Sequence, residues 1–294
     1  MSARRRNDVG DCGRSCSQVR ASAAMSMTGE ILLRASGVRK TFHRSGGWLK
    51  KRQAHVALDG VSIDVRENEI LGIVGESGCG KSTFARVLVG MVEPDEGSLQ
   101  IQEEPLFGPN VPTVPCGQRR IQMVFQDPYA SLNPRMRVGD IVGEGLSIEG
   151  KLSSRAIRSR VVDILALVGL TEDDALKFPH QFSGGQRQRL CIARAIVLRP
   201  KLLIADEAVS ALDVSVQMQI LNLLLDLRRQ FGIAIIFISH DIAVVEYLCD
   251  RVVVMCDGSV VEENKASELI DHPTHPYTKK LIAAVPRLGT AAGR

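Results

Sequence analysis

The sequence predicts an α/β fold: a mainly parallel sheet, preceded by an antiparallel one and interrupted by an all-helical segment. Three observations carry this. Short apolar runs bounded by Gly or charge ("EILGIVGE", "KLLIAD", "GIAIIFIS", "RVVVMCDG") alternate with helical patterns ("KSTFARVLVGM", "SVQMQILNLLLDLRRQ", "DIAVVEYLC"), as expected for strands joined by helical crossovers. From Val138 to about Val197 helical periodicity dominates. A glycine-rich stretch, "GESGCGKST", follows one apolar run directly and opens a helical one.

Taken in order, "EILLRASGVRKTF" and "HVALDGVSIDV" read as antiparallel strands flanking the polar loop "HRSGGWLKKRQA". "EPDEGSLQIQ" reads as a turn entering a strand, and "RRIQMVFQ" as another strand. Between them "EEPLFGPNVPTVPCG" is dense in Pro and Gly and reads as loop. The helical segment comprises "VGDIVGEGLSI", "SSRAIRSRVVDILALVGL" and "GGQRQRLCIARAIVL". There is no internal repeat.

Composition bounds the class. Over 294 residues, 45% are hydrophobic and 24% charged, the balance of an ordinary globular chain. No uninterrupted run of 18 apolar residues occurs, so no membrane helix is expected. The net charge of +4 sits mainly in the first 28 residues, which hold five Arg and two Asp. The rest is almost neutral, which argues against a nucleic-acid partner. Residues 1–28 are poor in large apolar side chains and are expected to be disordered, with Met25 or Met27 as an alternative start. Seven scattered cysteines, with Cys12 and Cys16 the closest pair and no zinc spacing, point to reduced thiols.

Gly75, Gly80, Lys81 and Ser82 fit G-x-x-x-x-G-K-[ST] in its required setting, strand before and helix after. The nest Gly75, Glu76, Ser77, Gly78, Cys79, Gly80, Lys81, Ser82, Thr83 is expected to turn its N–H groups onto phosphate oxygens. Lys81 would reach the β and γ phosphates and Ser82 would ligate Mg²⁺. Cys79 serves there as a small residue and is a candidate for alkylation. Asp206 and Glu207 end the strand "KLLIADE". Asp206 is suited to hold Mg²⁺ beside Ser82, and Glu207 to act as general base on the attacking water. Gln126, after "RRIQMV", can ligate Mg²⁺ and orient water. His240, after "IFIS", can contact the γ-phosphate.

"FSGGQRQR" offers a second anion site. Ser183 is placed to cap a helix whose first residues, Gly184 and Gly185, leave N–H groups bare for an anion, and Gln186 completes this candidate site. One nucleotide in one compact domain has no evident use for both sites, so the second is expected to serve a neighbouring subunit.

From Ile31 to Pro286 the order of these motifs resembles the ATP-binding subunits of ABC transporters. "GESGCGKST" corresponds to the family's Walker A, Gln126 to its Q-loop, "SGGQ" to its signature and "LLIADE" to its Walker B. "SALD", with Asp213, corresponds to its D-loop and His240 to its switch. The resemblance implies a P-loop NTPase (RecA-like) core with an antiparallel β-subdomain and a helical insertion subdomain. It divides the chain into an ATPase domain at 29–270, its helical subdomain at about 128–198, and a C-terminal extension at 271–294. It implies ATP and Mg²⁺ as ligands. Adenine would stack on Phe42, with His43 the alternative. "VFQDPYASLNPRMRVGDIVGEGL", "FPHQFSGGQRQR" and "HPTHPYTKKLIAAVPRL" resemble the peptide/nickel importers, in particular the second ATPase subunit of oligopeptide or dipeptide permeases. Ala208 departs from the family, which usually has Pro there.

The resemblance implies a peripheral ATPase on the cytoplasmic face of the membrane. Its partners would be a second ATPase subunit, in a hetero- or homodimer, two membrane permease subunits and, indirectly, an extracytoplasmic solute-binding protein. Peptide, nickel, glutathione or another small solute remain open as cargo. The rival readings are a soluble, non-transport ABC ATPase and a regulatory subunit without hydrolysis.

Overall fold

The computed structural model describes residues 29–44, 53–109, 111, 113–114 and 120–284. The tail read at 1–28, the Cys12–Cys16 pair and the two alternative start methionines lie outside the described residues.

Strands β1 (Ile31–Arg44) and β2 (Gln53–Arg66) pair antiparallel. β3 (Ile70–Val74) leads into α1 (Lys81–Val89). β4 (Glu96–Ile101) and β5 (Glu104–Phe107) complete a four-stranded antiparallel sheet of order β2-β1-β4-β5. β6 (Ile121–Val124) follows, then the helices α2 (Pro128–Ser131), α3 (Val138–Glu149), α4 (Ser154–Leu167) and α5 (Gly184–Ile196). Short 3-10 turns at Glu172–Leu176 and Pro179–Gln181 join α4 to α5. Then come β7 (Leu202–Asp206), α6 (Val214–Phe231), β8 (Ala234–Ile238), α7 (Ile242–Leu248), β9 (Arg251–Cys256) and β10 (Ser259–Lys265). Helices α8 (Ala266–Asp271) and α9 (Pro276–Ala283) close the described chain.

The second sheet has the order β10-β9-β3-β8-β7-β6, parallel throughout except for β10. Its strands are apolar on both faces because both faces are covered. Alternate side chains sort accordingly. Leu71, Ile73, Leu202, Ile204, Ile236 and Ile238 pack with α1 and the antiparallel sheet. Ile70, Leu203, Ala205, Ile235 and Phe237 pack with the helices on the other face. This covered sheet brings the C-terminal ends of β3, β6, β7 and β8 to one edge, where α/β sheets bind ligands.

One local expectation is corrected. The segment read as loop from Glu103 contains β5, which pairs with β4. Gln102 and Glu103 both take positive φ, 46° and 67°, and form a two-residue hairpin turn without Gly or Asn. Pro105 is tolerated because β5 is the sheet's edge. β10, polar at Glu262, Glu263 and Asn264, lacks a clear strand pattern in sequence; its backbone pairs with β9 although its side chains are half-exposed.

Phe84 of α1 is fully buried between the two sheets. Phe84→Ala is expected to lower stability by about 3–5 kcal/mol, through lost transfer energy and a residual cavity. Urea unfolding of the full chain measures this; a loss under about 1 kcal/mol would contradict the packing described.

Candidate functional site

The backbone after β3 turns sharply, then enters α1. Gly75 and Gly80 make the turn possible. Their φ values are 154° and 106°, and a Cβ would run into the carbonyl oxygens of Met255 and Ala57 respectively. Gly80 is the N-cap of α1, and no side chain caps that helix. Its first N–H groups, together with the positive end of the helix dipole, therefore face the loop unsatisfied.

Lys81 is 5% exposed, yet among the described residues no carboxylate lies within 4 Å of its ammonium. Nζ donates to the carbonyls of Gly75 at 2.7 Å and Glu76 at 2.8 Å, and lies 3.6 Å from Cys79 Sγ. A buried cation satisfied only by neutral dipoles is a receptor for an anion. Cys79, a candidate for alkylation from sequence, is itself 6% exposed, so the folded loop shields the thiol.

Next to the loop, Ser82 Oγ donates to Asp206 Oδ1 at 3.1 Å. Burial raises the Asp206 pKa, the Ser82 hydrogen bond opposes this, and the Glu207 charge adds to it. A desolvated carboxylate beside a hydroxyl is a hard-oxygen pair that suits Mg²⁺, which prefers oxygen ligands. Together with the phosphate-directed lysine, these residues fit a metal–nucleotide ligand.

Glu207 takes the left-handed conformation, φ 48°, and its N–H donates to the Ile238 carbonyl at 3.0 Å. This ties the end of β7 to the end of β8. Gln126 Nε2 donates to Glu207 Oε2 at 2.8 Å, and His240 Nδ1 stands 3.6 Å from Glu207 Oε1. Lys81, Ser82, Gln126, Asp206, Glu207 and His240 thus converge on one edge of the sheet. Glu76, Ser77 and Gly78 are exposed, Ser82 and Thr83 half-buried. Phe42, on β1, is 40% exposed with Lys40 Nζ 5.7 Å from its ring centre, so it is not a core side chain.

Ser183 caps α5. Its Oγ accepts from the Gln186 N–H at 3.3 Å, and Gln186 Oε1 accepts from the Ser183 N–H at 3.0 Å. Gly184 and Gly185 approach Leu212 and Val216, and Asp213 is the N-cap of α6. Among the described residues no hydrogen bond or ion pair links this group to the 75–83 loop. α1 and α5 thus start in two groups of residues that share no hydrogen bond or ion pair among those described.

The sequence pattern of the ABC transporter family matches residues 58–210, just over half of the chain. The chain belongs to this family. Residues 261–294 match the oligopeptide/dipeptide transporter C-terminal region. The dipeptide transport ATP-binding protein DppF of Haemophilus influenzae is 45% identical over 89% of this chain and 82% of its own. The probable peptide ABC transporter ATP-binding protein y4tS of Sinorhizobium fredii is 48% identical over 87% and 73%. The glutathione import ATP-binding protein GsiA of Escherichia coli is 48% identical over 88% of this chain, which spans 42% of that protein. Among solved structures, the dimeric post-hydrolysis state of the ATP-binding cassette MJ0796, bound to ADP and Pi, superposes with a TM-score of 0.69. It shares 30% identity and covers 80% of this chain and 99% of its own.

As an ABC ATPase the chain binds ATP. Two residues near its sites carry no role that the sequence reading assigns. Arg187 donates from Nε to the Pro179 carbonyl at 2.8 Å and stacks over Tyr129 at 4.0 Å, which shapes the entry to α5. Tyr277 reaches the phosphate loop from the C-terminal helix. Both lie in stretches quoted from the sequence, but their partners follow from no spacing; only the fold brings them together.

Lys81→Ala is expected to weaken ATP binding by about 1.5–3 kcal/mol for each charge-assisted hydrogen bond that the ammonium makes to phosphate. Circular dichroism of the ligand-free chain is expected to stay unchanged. ATP titration of the purified chain measures the first; unaltered affinity would contradict the anion-receptor reading.

Proposed function

We propose that this chain is the ATP-hydrolysing subunit of an importer for di- or oligopeptides, working from the cytoplasmic face of the membrane beneath separate permease subunits. The observation that carries the reading is the convergence of Lys81, Ser82, Asp206, Gln126, Glu207 and His240 at one sheet edge. The peptide cargo is favoured by the C-terminal region at 261–294 and by the names of the similar DppF and y4tS proteins. The name of GsiA keeps glutathione as the second cargo.

In this reading Lys81 and the amides of the 75–83 loop, apart from the Glu76 N–H that donates to Tyr277, bind the phosphates, and Phe42 stacks on adenine. Mg²⁺, held by Ser82, Asp206 and Gln126, would neutralise charge on the β and γ phosphates. Glu207 takes a proton from the water that attacks the γ-phosphorus, and the P–O bond to ADP breaks. Gln126 holds Glu207 in the ligand-free state and orients that water once nucleotide is bound. His240 donates to the γ-phosphate. The Glu207 backbone bond to β8 makes the base's position a property of the sheet rather than of a free loop.

Ser183 to Gln186 and Asp213 complete the site of a second ATPase subunit, whose own signature completes this one. The separation of the two helix starts supports this arrangement, as does the dimeric state of the MJ0796 cassette. The solute-binding protein outside the membrane acts on the permease, not on this chain.

Glu207→Gln keeps the side chain's size but removes its basicity. Hydrolysis at this site is expected to fall about 10²–10⁴-fold while ATP stays bound. Single-turnover hydrolysis in the assembled transporter reads this; normal turnover at this site would refute the assignment. Ser183→Arg is expected to abolish ATP-dependent pairing with the second ATPase subunit while leaving ATP binding at Lys81 intact. Sedimentation of the ATPase pair with ATP tests it, and unchanged pairing would refute the shared-site arrangement.

A further inference from the structure

The C-terminal helix reaches back to the phosphate loop. In the first turn of α9 the hydroxyl of Tyr277 accepts a hydrogen bond from the Glu76 backbone N–H at 2.8 Å, across 201 residues of sequence. The tyrosine is itself held in place. Glu262 on β10 accepts from the N–H and hydroxyl of Thr274, both at 2.8 Å, and from the His275 N–H at 3.0 Å. Burial pushes the Glu262 carboxyl up, but hydrogen bonds from the turn at 274–278 outweigh this and draw it down to about 2. His275 Nδ1 then accepts from the Tyr277 N–H at 3.2 Å, and Pro276 opens the helix with its fixed φ.

The loop that Tyr277 touches needs such support. Glu76, Ser77 and Gly78 are exposed, and Gly75, Gly78 and Gly80 all take positive φ, so the free loop has much freedom to lose on binding. In the structure Lys81 Nζ holds the Gly75 and Glu76 carbonyls. A lysine that turns to the phosphates gives up those carbonyls. The Cys79 carbonyl stays tied to the Gly258 N–H at 3.0 Å, and the Glu76 N–H stays tied to Tyr277. The tyrosine thus anchors the exposed arm of the loop through a group that lies outside the motif.

We propose that Tyr277 is a positioning residue for the phosphate loop, through which the C-terminal segment sets the nucleotide affinity of this subunit. The proposal rests on the reading of residues 75–83 as the ATP site. A loop ordered before ATP arrives pays less of the ordering entropy on binding.

The test is Tyr277→Phe in the full chain, with ATP affinity by calorimetry and KM and kcat in the assembled transporter. Loss of one hydrogen bond is expected to raise Kd and KM about two- to tenfold. The kcat at saturating ATP and the ligand-free melting temperature are expected to stay at parent values. Parent affinity, or a fall in kcat without a rise in KM, would overturn the proposal. Glu262→Gln is expected to weaken ATP binding in the same direction, and by less in the Tyr277→Phe background than alone, because both act through one tyrosine. Full additivity would overturn that route. Lys81→Ala separates the tyrosine's role from the site itself. If it loses ATP while Tyr277→Phe does not, only the tyrosine's role fails; if it too binds ATP normally, the site reading fails with it.

Discussion

A buried lysine ammonium held only by neutral groups, two backbone carbonyls and the Cys79 thiol, is the feature on which the rest of this structure depends. Desolvating a cation without a carboxylate partner is unfavourable, and the surroundings of Lys81 are arranged to sustain it. The parallel sheet fixes β3 between β8 and β9, and both faces of that sheet are packed. The loop is then trapped between Met255 on one side and Ala57 on the other, positions at which only glycine fits. A fold that holds a buried cation without a carboxylate partner in a loop that only glycine can form is suited to an anionic ligand, and the chemistry of that ligand is phosphate.

The same sheet explains why the catalytic candidates come from such distant parts of the chain. Gln126, Glu207 and His240 follow β6, β7 and β8, neighbours or near-neighbours in the sheet. The parallel arrangement points all three strand ends the same way. The Gln126–Glu207 hydrogen bond and the Glu207–Ile238 backbone bond couple them into one unit. The helical segment that begins at α2, only two residues beyond Gln126, is therefore linked directly to Glu207.

Much of this was legible in the sequence because it is local. The strand ends, the glycine loop and the capping serine at Ser183 each involve residues close in the chain, and each has a periodicity or spacing that physics dictates. What was hidden is either local without its usual residues or not local at all. The β4–β5 turn uses Gln102 and Glu103 where Asn and Gly are the readable choice, so the strand beyond it passed for loop. β10 hides because its side chains are polar and its order comes from β9. The Tyr277–Glu76 bond spans 201 residues, and no pattern in "HPTHPYTKK" names its partner. Ala208, buried beside Glu207, follows a residue in the left-handed region, and nothing in the structure explains Ala rather than Pro there.

The measurement that tests the account most directly is the melting temperature of the full chain titrated separately with ATP, ADP and adenosine. Ligands that bind only the folded state stabilise it by RT ln(1 + L/Kd), where L is the free ligand concentration, so stabilisation grows with the logarithm of ligand concentration above Kd. If the buried Lys81 and the open N-terminus of α1 form a phosphate receptor, ATP and ADP raise the melting temperature at concentrations where adenosine leaves it unmoved. Equal stabilisation by adenosine would contradict the account, because the affinity would then lie in the base and ribose and not in the loop.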